Sequence, residues 1–376
     1  MSLTATQCTI LMGPNVTVPL PATMTEAIQS IEVTHSDNQR SGFQIVFTVG
    51  RCGSALDYSL LKNPLLQTFN RVTILVVFNA ISRMIMDGII THVQLKPSSE
   101  PGASTLTVTG EDVGVLMDRE EKIVEHSAQS DVIIVNKIIA SYAQYNLVSE
   151  VIPAPVADAP SPTDRTPVQH GTDLDYLQTL AQRYGYVFYI ATGPLFKVST
   201  AYWGPPKRVG LPQRALAVNM GPGSNVASMH FKHNALAPSI VSSQVQDRST
   251  HQVFPVTTFA STRAPLSRGA AVSVNPRQQQ LAHAHGLNYQ QALAQAQAQT
   301  DLSNDQVVTA EGEIDAARYG EVLQTRALVG VSGAGETYDG WYYVKRVSHT
   351  LRRGQYQQGF TLTRDGTGST TAAVIP

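Results

Sequence analysis

Two segments about 250 residues apart have the same β-hairpin pattern. Each contains an Asp-Gly pair, an alternating strand, a turn and a second strand of the type apolar-Thr-apolar-Thr; the hairpins cover residues 86–112 and 338–365. A period of two is typical of a strand with one face on a core. The repeat predicts two related β-domains in one chain, and such a chain can match a partner of twice its own rotational symmetry. The paired positions are Asp87-Gly88 and Asp339-Gly340.

The chain of 376 residues is long enough for two or three domains with their own cores. Alternating Phe43, Ile45 and Phe47 predict one strand, and residues 72–78, apolar on both faces, predict a strand covered on both sides. With turn residues between such segments, the first ~120 residues should form a sandwich or small barrel. The fold class expected for the whole chain is mainly β with α insertions.

Helices are expected in the middle of the chain and near residue 290. Ser130 can cap a helix that starts at Asp131, and Thr172 can cap a second one with Asp175 at its third position. Five prolines between residues 151 and 168 predict a loop. The Ala- and Gln-rich segment Leu287–Thr300 is favourable for a helix.

Composition excludes several classes of protein. The net charge of −1 argues against a dedicated nucleic-acid binder, and no apolar run approaches the roughly 20 residues of a membrane span. No signal peptide is recognisable, and two cysteines fit a reducing compartment. Only 15% of residues are charged, against roughly 25% in soluble domains. Two interpretations of this low charge content stay open: much of the surface is buried against other subunits, or the surface is covered by neutral polar groups.

No residue set predicts catalysis, and we expect no catalytic, cofactor-binding or metal-binding residues. Gly330–Gly335 has the wrong glycine order for a nucleotide loop, so a β-turn is expected. His283 and His285 lack a third metal ligand. The basic cluster from Lys345 to Arg353, interleaved with tyrosines, fits a solvated hairpin or an acidic neighbouring subunit better than single-stranded nucleic acid. The carboxylates examined as acid pairs are Asp173 with Asp175, and Glu311 with Glu313 and Asp315.

Several segments, in order, resemble contractile-tail hub proteins. Residues 170–189 are similar to that family's Asp-Leu-x-Phe-Leu-x-x-Leu-Ala-x-x-x-Gly element, and residues 109–116 to its Gly-x-Asp-x-x-x-x-Leu stretch. The helix from Ser130 and the segments from 318 to 349 resemble later parts of the family. The family includes phage late-control gene D proteins and the N-terminal hub part of VgrG, the valine-glycine-rich spike proteins of type VI secretion.

The resemblance implies two barrels like those of the tail-tube subunit. They would comprise residues 1–122 and 206–365, the latter with a helical insertion near 287–300, separated by a helical and β segment at 123–205. A tail at 366–376, flexible by composition, would reach from Gly366 to Pro376 towards the spike.

The implied protein is a structural homotrimeric baseplate hub that adapts a sixfold inner tube to a threefold spike. Its partners would be the tube subunit, a separate trimeric spike protein, other baseplate proteins and possibly the tape measure, with no nucleic acid and no direct membrane insertion. Assembly would take place in the bacterial cytoplasm, in a phage tail or an injection particle. The rival functions are a carbohydrate-binding module that uses Trp203 and Trp341, and a cell-wall glycan hydrolase that uses Glu313 or Asp315.

Overall fold

The computed structural model is mainly β with helical insertions, as the sequence predicts. The structure describes residues 7–14, 16–52, 57–58, 60–78, 81–100, 102–156, 160–161, 163, 165–193, 195–248, 250–270, 276–281 and 286–371. His283, His285 and Pro376 lie outside these residues.

The N-terminal third is built from strands. They are β1 (Gln7–Gly13), β2 (Val18–Pro19), β3 (Ile28–Ser36), β4 (Gly42–Thr48), β5 (Arg51–Cys52), β6 (Asp57–Tyr58), β7 (Arg71–Phe78), β8 (Ile81–Lys96) and β9 (Thr105–Asp112), with the short helix α1 (Ala22–Glu26). Phe43, Ile45 and Phe47 are buried on one face of β4, as their alternation predicts. Short 3₁₀ helices occur at Pro64–Leu66, Val113–Asp118, Ala143–Tyr145 and Gly221–Gly223.

The middle segment packs two helices on small sheets. Its elements are β10 (Lys122–Glu125), α2 (Asp131–Ala140), β11 (Leu147–Val151), β12 (Val168–Gly171), α3 (Asp173–Arg183), β13 (Val187–Thr192) and β14 (Ser199–Gly204). Both predicted caps are present: the Ser130 side chain accepts from the backbone of Ile133, and Thr172 accepts from Asp175. Leu177 and Leu180 are fully buried on the inner face of α3.

The C-terminal part returns to β structure around one long helix. Its elements are β15 (Gln213–Ala217), β16 (Val226–His233), β17 (Ser239–Gln246), β18 (Val253–Thr257), β19 (Ser267–Ala270), β20 (Arg277–Gln279), α4 (Tyr289–Asn304), β21 (Val308–Asp315), α5 (Ala316–Tyr319), β22 (Leu328–Ser332), β23 (Gly340–Arg352), β24 (Gln355–Arg364) and β25 (Gly366–Ser369). Helix α4 begins two residues later than predicted, because Asn288 caps it in a reciprocal box with Gln291, and it ends four residues later.

One five-strand arrangement occurs twice in a continuous sheet. The strands lie in the order β3-β4-β9-β8-β7 in the first half and β16-β21-β24-β23-β22 in the second, all antiparallel. If the five strands of each set are numbered along the chain, both sets have the spatial order first, second, fifth, fourth, third across the sheet. The halves differ in the next strand, since β1 is antiparallel to β7 whereas β15 is parallel to β22.

β-Bulges fix the residue equivalence between the two halves. Thr91 is the extra residue of β8 against β9, and Lys345 is the extra residue of β23 against β24. Gln29 of β3 and Ala227 of β16 are extra in the same way. A bulge is a defined local feature of a strand, so these four positions are reference points for superposing the halves.

The two Asp-Gly pairs are displaced by two residues in this superposition. Asp87 pairs with Thr73 of β7, and the residue in that place in the second half is Trp341, which pairs with Gly330 of β22. Asp339-Gly340 therefore stands two positions earlier in its hairpin than Asp87-Gly88. A shift of two leaves the alternating faces unchanged, which is why the sequence pattern does not detect it.

Candidate assembly interface

Strand β23 changes its partner along its length and thereby joins the two halves. Its first residues, Gly340–Tyr343, pair with β22, and Arg346–Leu351 pair with β3. The bulge at Lys345 separates the two sections. Because β3 is the first strand of the other five-strand set, the main sheet crosses from one half to the other without a break. We call this β23–β3 pairing the seam.

Arg326 lies beside the seam and connects three parts of the chain. Its guanidinium donates to the carbonyl of Ser36 from Nε at 3.2 Å and Nη2 at 2.5 Å, and to that of Ile190 at 3.4 Å. It also stacks on the ring of Tyr189, 3.8 Å from the centroid. Burial lowers the pKa of this guanidinium from its usual value. Arg326 thus anchors the second half to both the first half and the middle segment.

Two histidines, His35 half-buried and His349 buried, meet across the seam. The rings of His35 and His349 are 5.5 Å apart, edge to face. His35 Nε2 lies 2.7 Å from the carbonyl of Ile85, and His349 Nδ1 lies 2.9 Å from the hydroxyl of Tyr356. Burial, then the positive charge of Arg326, lowers the pKa of His35 to about 4, and burial lowers that of His349 well below its usual value. Both rings are therefore neutral near pH 7.

Asp87 ties the first half to the middle segment. Its side chain is buried and accepts from Arg71 through both oxygens, at 2.7 and 2.5 Å, in a bidentate pair. Ser199 at the start of β14 donates to the same carboxylate at 3.1 Å. Gly88 lies in the close approach of β8 and β9, where an added Cβ would be 2.5 Å from the carbonyl oxygen of Glu111.

A second buried ionic cluster holds α4 and β24 together. Arg208 donates to Asp305 and, at 3.1 Å, to Asp365. Arg263 contacts Asp305 as well and donates to the carbonyl of Gly185 at the end of α3. Burial lowers the pKa of Arg263 to about 10. These contacts hold the insertion between β16 and β21 in place against the rest of the chain.

Asp339 and Gly340 shape the entrance to β23. The Asp339 carboxylate accepts from the backbone of Ala334 at 2.7 Å, and its carbonyl accepts from Arg364 at 2.9 Å. Gly340 has a φ of +121°, and an added Cβ would lie 2.9 Å from Oγ of Ser369. Both residues thus stabilise the turn before the strand, in a different environment from that of Asp87 and Gly88.

Gly366 is not the beginning of a flexible tail, so this expectation was wrong for the first residues after Asp365. Gly366–Ser369 form β25, which pairs with β19. An added Cβ on Gly366 would be 2.1 Å from the carbonyl oxygen of Gly269, so only glycine fits this approach. Local composition suggested flexibility, but strand pairing about 100 residues away in sequence orders the segment.

The aromatic residues that could have bound nucleic acid or sugars are largely inside the protein. Tyr342, Tyr343 and Tyr356 are buried, whereas Arg346, Arg352 and Arg353 of the same hairpin are exposed. Trp203 is fully buried and donates from Nε1 to the carbonyl of Leu177, and Trp341 is half-buried. The basic cluster is therefore a charged surface without an accompanying aromatic platform.

The Asp173 carboxylate is held by structural partners. Burial would raise the pKa of Asp173, but hydrogen bonds from Gln169, Lys122 and Tyr142 outweigh it and lower the pKa. A general acid for glycoside cleavage needs the opposite shift.

Two of the three candidate carboxylates at β21, Glu311 and Asp315, also have partners, and Glu313 is half-buried. Asp315 caps α5 by accepting from Ala317 and Arg318, and Glu311 pairs with His230 at 3.2 Å. Gly330–Gly335 forms the end of β22 and a turn, with Gly333 and Gly335 both at φ +89°.

A cleft of about 590 Å³ opens beside the seam. His35 and Arg326 line it, but both are already bonded to backbone carbonyls. His, Cys, Asp and Glu side chains nowhere gather in threes at ligand spacing among the described residues.

None of the helices in the described part of the chain combines the length and apolar composition of a bilayer crossing.

The family model described as the Alg8 N-terminal domain matches residues 19–353, which is most of the chain. The chain belongs to the Alg8 N-terminal domain family. That description names neither a ligand nor a reaction. No curated protein is similar enough in sequence to match it.

Solved structures of tail proteins have the same fold. A tail protein of Neisseria meningitidis MC58 is similar at 14% identity with a TM-score of 0.66, over 95% of this chain and 97% of that one. The 43 kDa tail protein of prophage MuSo2 from Shewanella oneidensis is 12% identical with a TM-score of 0.65, over 96% and 100%.

An Escherichia coli component of the type VI secretion system, structurally similar to T4 phage tail proteins gp27 and gp5, is 13% identical with a TM-score of 0.54, over 93% of this chain and 77% of that one. The predicted resemblance to tail proteins is confirmed at the level of the fold.

Proposed function

We propose that this protein is a structural baseplate hub of a contractile phage tail or a related injection particle. The observation that carries the proposal is the repeated five-strand order within one chain, joined into a continuous sheet by the seam. The tail-protein fold supports it. In this proposal the two five-strand sets are the cores of two tube-like domains, with the middle segment on their flank.

Three chains would supply six tube-like domains, one for each subunit of a sixfold inner tube. The same ring would present threefold symmetry to a separate trimeric spike on its other face. Other baseplate proteins and the tape measure would be further neighbours. The proposed role needs no reaction, and the carboxylates of Asp173 and Asp315 are held in structural contacts.

The mass of the assembled protein tests the proposal. Native mass spectrometry of the purified chain, alone and with its tube and spike partners, should show a species of three 40.6 kDa chains. Cryo-electron microscopy of the intact particle should show three copies between the tube and the spike. A ring of two, four or six copies in the particle would contradict the proposal.

A further inference from the structure

Each half of the chain has one strand edge that pairs with the other half, and one strand edge that has no partner strand within the described residues. In the second half, the edge of β23 beyond its bulge pairs with β3. In the first half, the same edge of β8, from Thr91 to Lys96, has β9 on one side and no partner on the other within the described residues. Strand β16 ends the main sheet, and no described strand pairs with its outer edge.

The two open edges are the superposed counterparts of the two edges that form the seam. With the bulges as reference, β8 corresponds to β23 and β16 corresponds to β3. An unpaired edge presents a row of backbone donors and acceptors to another chain. We infer that β8 of one copy pairs antiparallel with β16 of the next copy, in the register of the seam.

The seam gives that register residue by residue. Arg346 pairs with Ser36, Ser348 with Thr34, and Thr350 with Glu32. Transferred to the open edges through the bulges, the expected pairs between copies are His92 with Asn234, Val93 with His233, Gln94 with Lys232, Leu95 with Phe231, and Lys96 with His230.

Burial agrees with this register at four of the five pairs; the exception is the half-buried Val93, which would lie opposite the exposed His233. Leu95 and Phe231 are both half-buried and pack against the cores of their own halves, so pairing them would continue one apolar face across the joint. Gln94, Lys96, His230 and Lys232 are all exposed and would lie together on the opposite face. Residues directly opposite each other in an antiparallel pair point to the same side, as both sets require.

The occupant is a second copy of this chain, because the two edges differ and cannot satisfy each other within one molecule's existing sheet. A joint between two different patches is heterologous, and it gives a closed ring when the rotation between successive copies closes, as the proposed hub requires. The inference rests on the proposed ring and specifies its contact. Lysines at both open edges, Lys96 and Lys232, are the usual protection of an edge strand against unspecific pairing.

Engineered cysteines at Gln94 and Lys232 test the register. The backbone N–H of Asp37 donates to the carbonyl of Lys345 at 3.1 Å, so Asp37 and Lys345, next to the pair Ser36 with Arg346, form a hydrogen-bonded pair of the seam. Pairs alternate along an antiparallel ladder, so Ser348 with Thr34, and hence Gln94 with Lys232, are non-hydrogen-bonded pairs with closer side chains. The double variant Q94C/K232C should therefore form disulfides between copies under mild oxidation, as separations of about 4 Å between Cβ atoms allow.

Controls separate the joint from unspecific oxidation. The double variant should give a covalent ladder that ends at three chains on a non-reducing gel. An equimolar mixture of the single variants Q94C and K232C should stop at two chains, because each chain carries one half of the joint. The shifted pair Q94C/H230C and the unchanged protein, which retains Cys8 and Cys52, should remain uncross-linked.

The outcomes distinguish this inference from the hub proposal. Cross-linking of the matched pair in a ring of four chains would support the edge pairing and overturn the trimer. A native trimer without cross-linking of the matched pair, or with preferential cross-linking of the shifted pair, would overturn the register and leave the trimer standing. A chain that stays monomeric and uncross-linked at every concentration would overturn the edge pairing.

Discussion

Phe69 and Arg326, 257 positions apart in sequence, have the same uncommon backbone conformation, with φ of 68° and 65°. Each donates its backbone N–H to a carbonyl of the neighbouring long strand, Phe69 to Ile90 at 2.8 Å and Arg326 to Val344 at 2.7 Å. Left-handed conformations are rare for residues other than glycine. Their recurrence at matching places, with unlike side chains, indicates that the two halves share a backbone plan down to single residues.

Replacing Asp87 by asparagine should destabilise the protein by about 3 kcal/mol, because the substitution leaves the mostly buried guanidinium of Arg71 without its charged partner. Urea unfolding followed by circular dichroism measures this loss. The matched control is Glu150→Gln, which breaks the exposed pair with Lys207 and should cost less than about 1 kcal/mol. Equal losses in the two variants would contradict the structural importance of the Asp87 contact.

Acid should weaken the seam through its two histidines, His35 and His349. An unfolded histidine takes up a proton near pH 6.5, whereas His35 in the fold does so only near pH 4. The unfolded state therefore binds more protons between these values, and the contribution of His35 to stability is lost as pH falls from about 6.5 to about 4. Asp112, whose pKa burial raises to about 6, acts in the opposite direction in part of this range.

The difference between variants isolates the histidine effect. His35→Gln keeps a donor for the carbonyl of Ile85 but does not titrate, so its melting temperature should fall less steeply with acid than that of the unchanged protein. Calorimetry from pH 7 to pH 4 gives both slopes. His230→Gln, at a largely exposed position, is the matched control substitution. Parallel curves for the His35 variant and the unchanged protein would refute the prediction.

Gly110→Ala should destabilise the first half by roughly 2 kcal/mol through overpacking. An added Cβ would lie 2.2 Å from the carbonyl oxygen of Ile89 and 2.4 Å from the ring of Phe43, which is its partner across β4 and β9. Gly50→Ala is the control, since its Cβ would meet nothing within 4 Å. Thermal unfolding of the two variants compares them, and a Gly110 variant as stable as the Gly50 variant would show that the sheet yields more easily than the distances indicate.

Local patterns were sufficient to predict several strands, the capped helices α2 and α3, and the duplicated hairpins. They were not sufficient for the alignment of the hairpins, because a shift of two residues preserves every alternating face and only the bulges at Thr91 and Lys345 resolve it. Local patterns could not predict the seam either, since it pairs residues about 310 positions apart in sequence. The sequence did not single out Arg326 or His35, because the roles of both side chains depend on backbone carbonyls supplied from distant segments.

The seam within one chain also bears on how a ring would be built. Its two edges are linked covalently, so that joint forms at a rate independent of protein concentration, and the angle between the two halves is set as soon as the chain has folded. Only the joints between copies depend on encounters in solution. In a ring of the proposed composition, half of the sheet junctions would then be preformed, and dilution would act only on the remaining half.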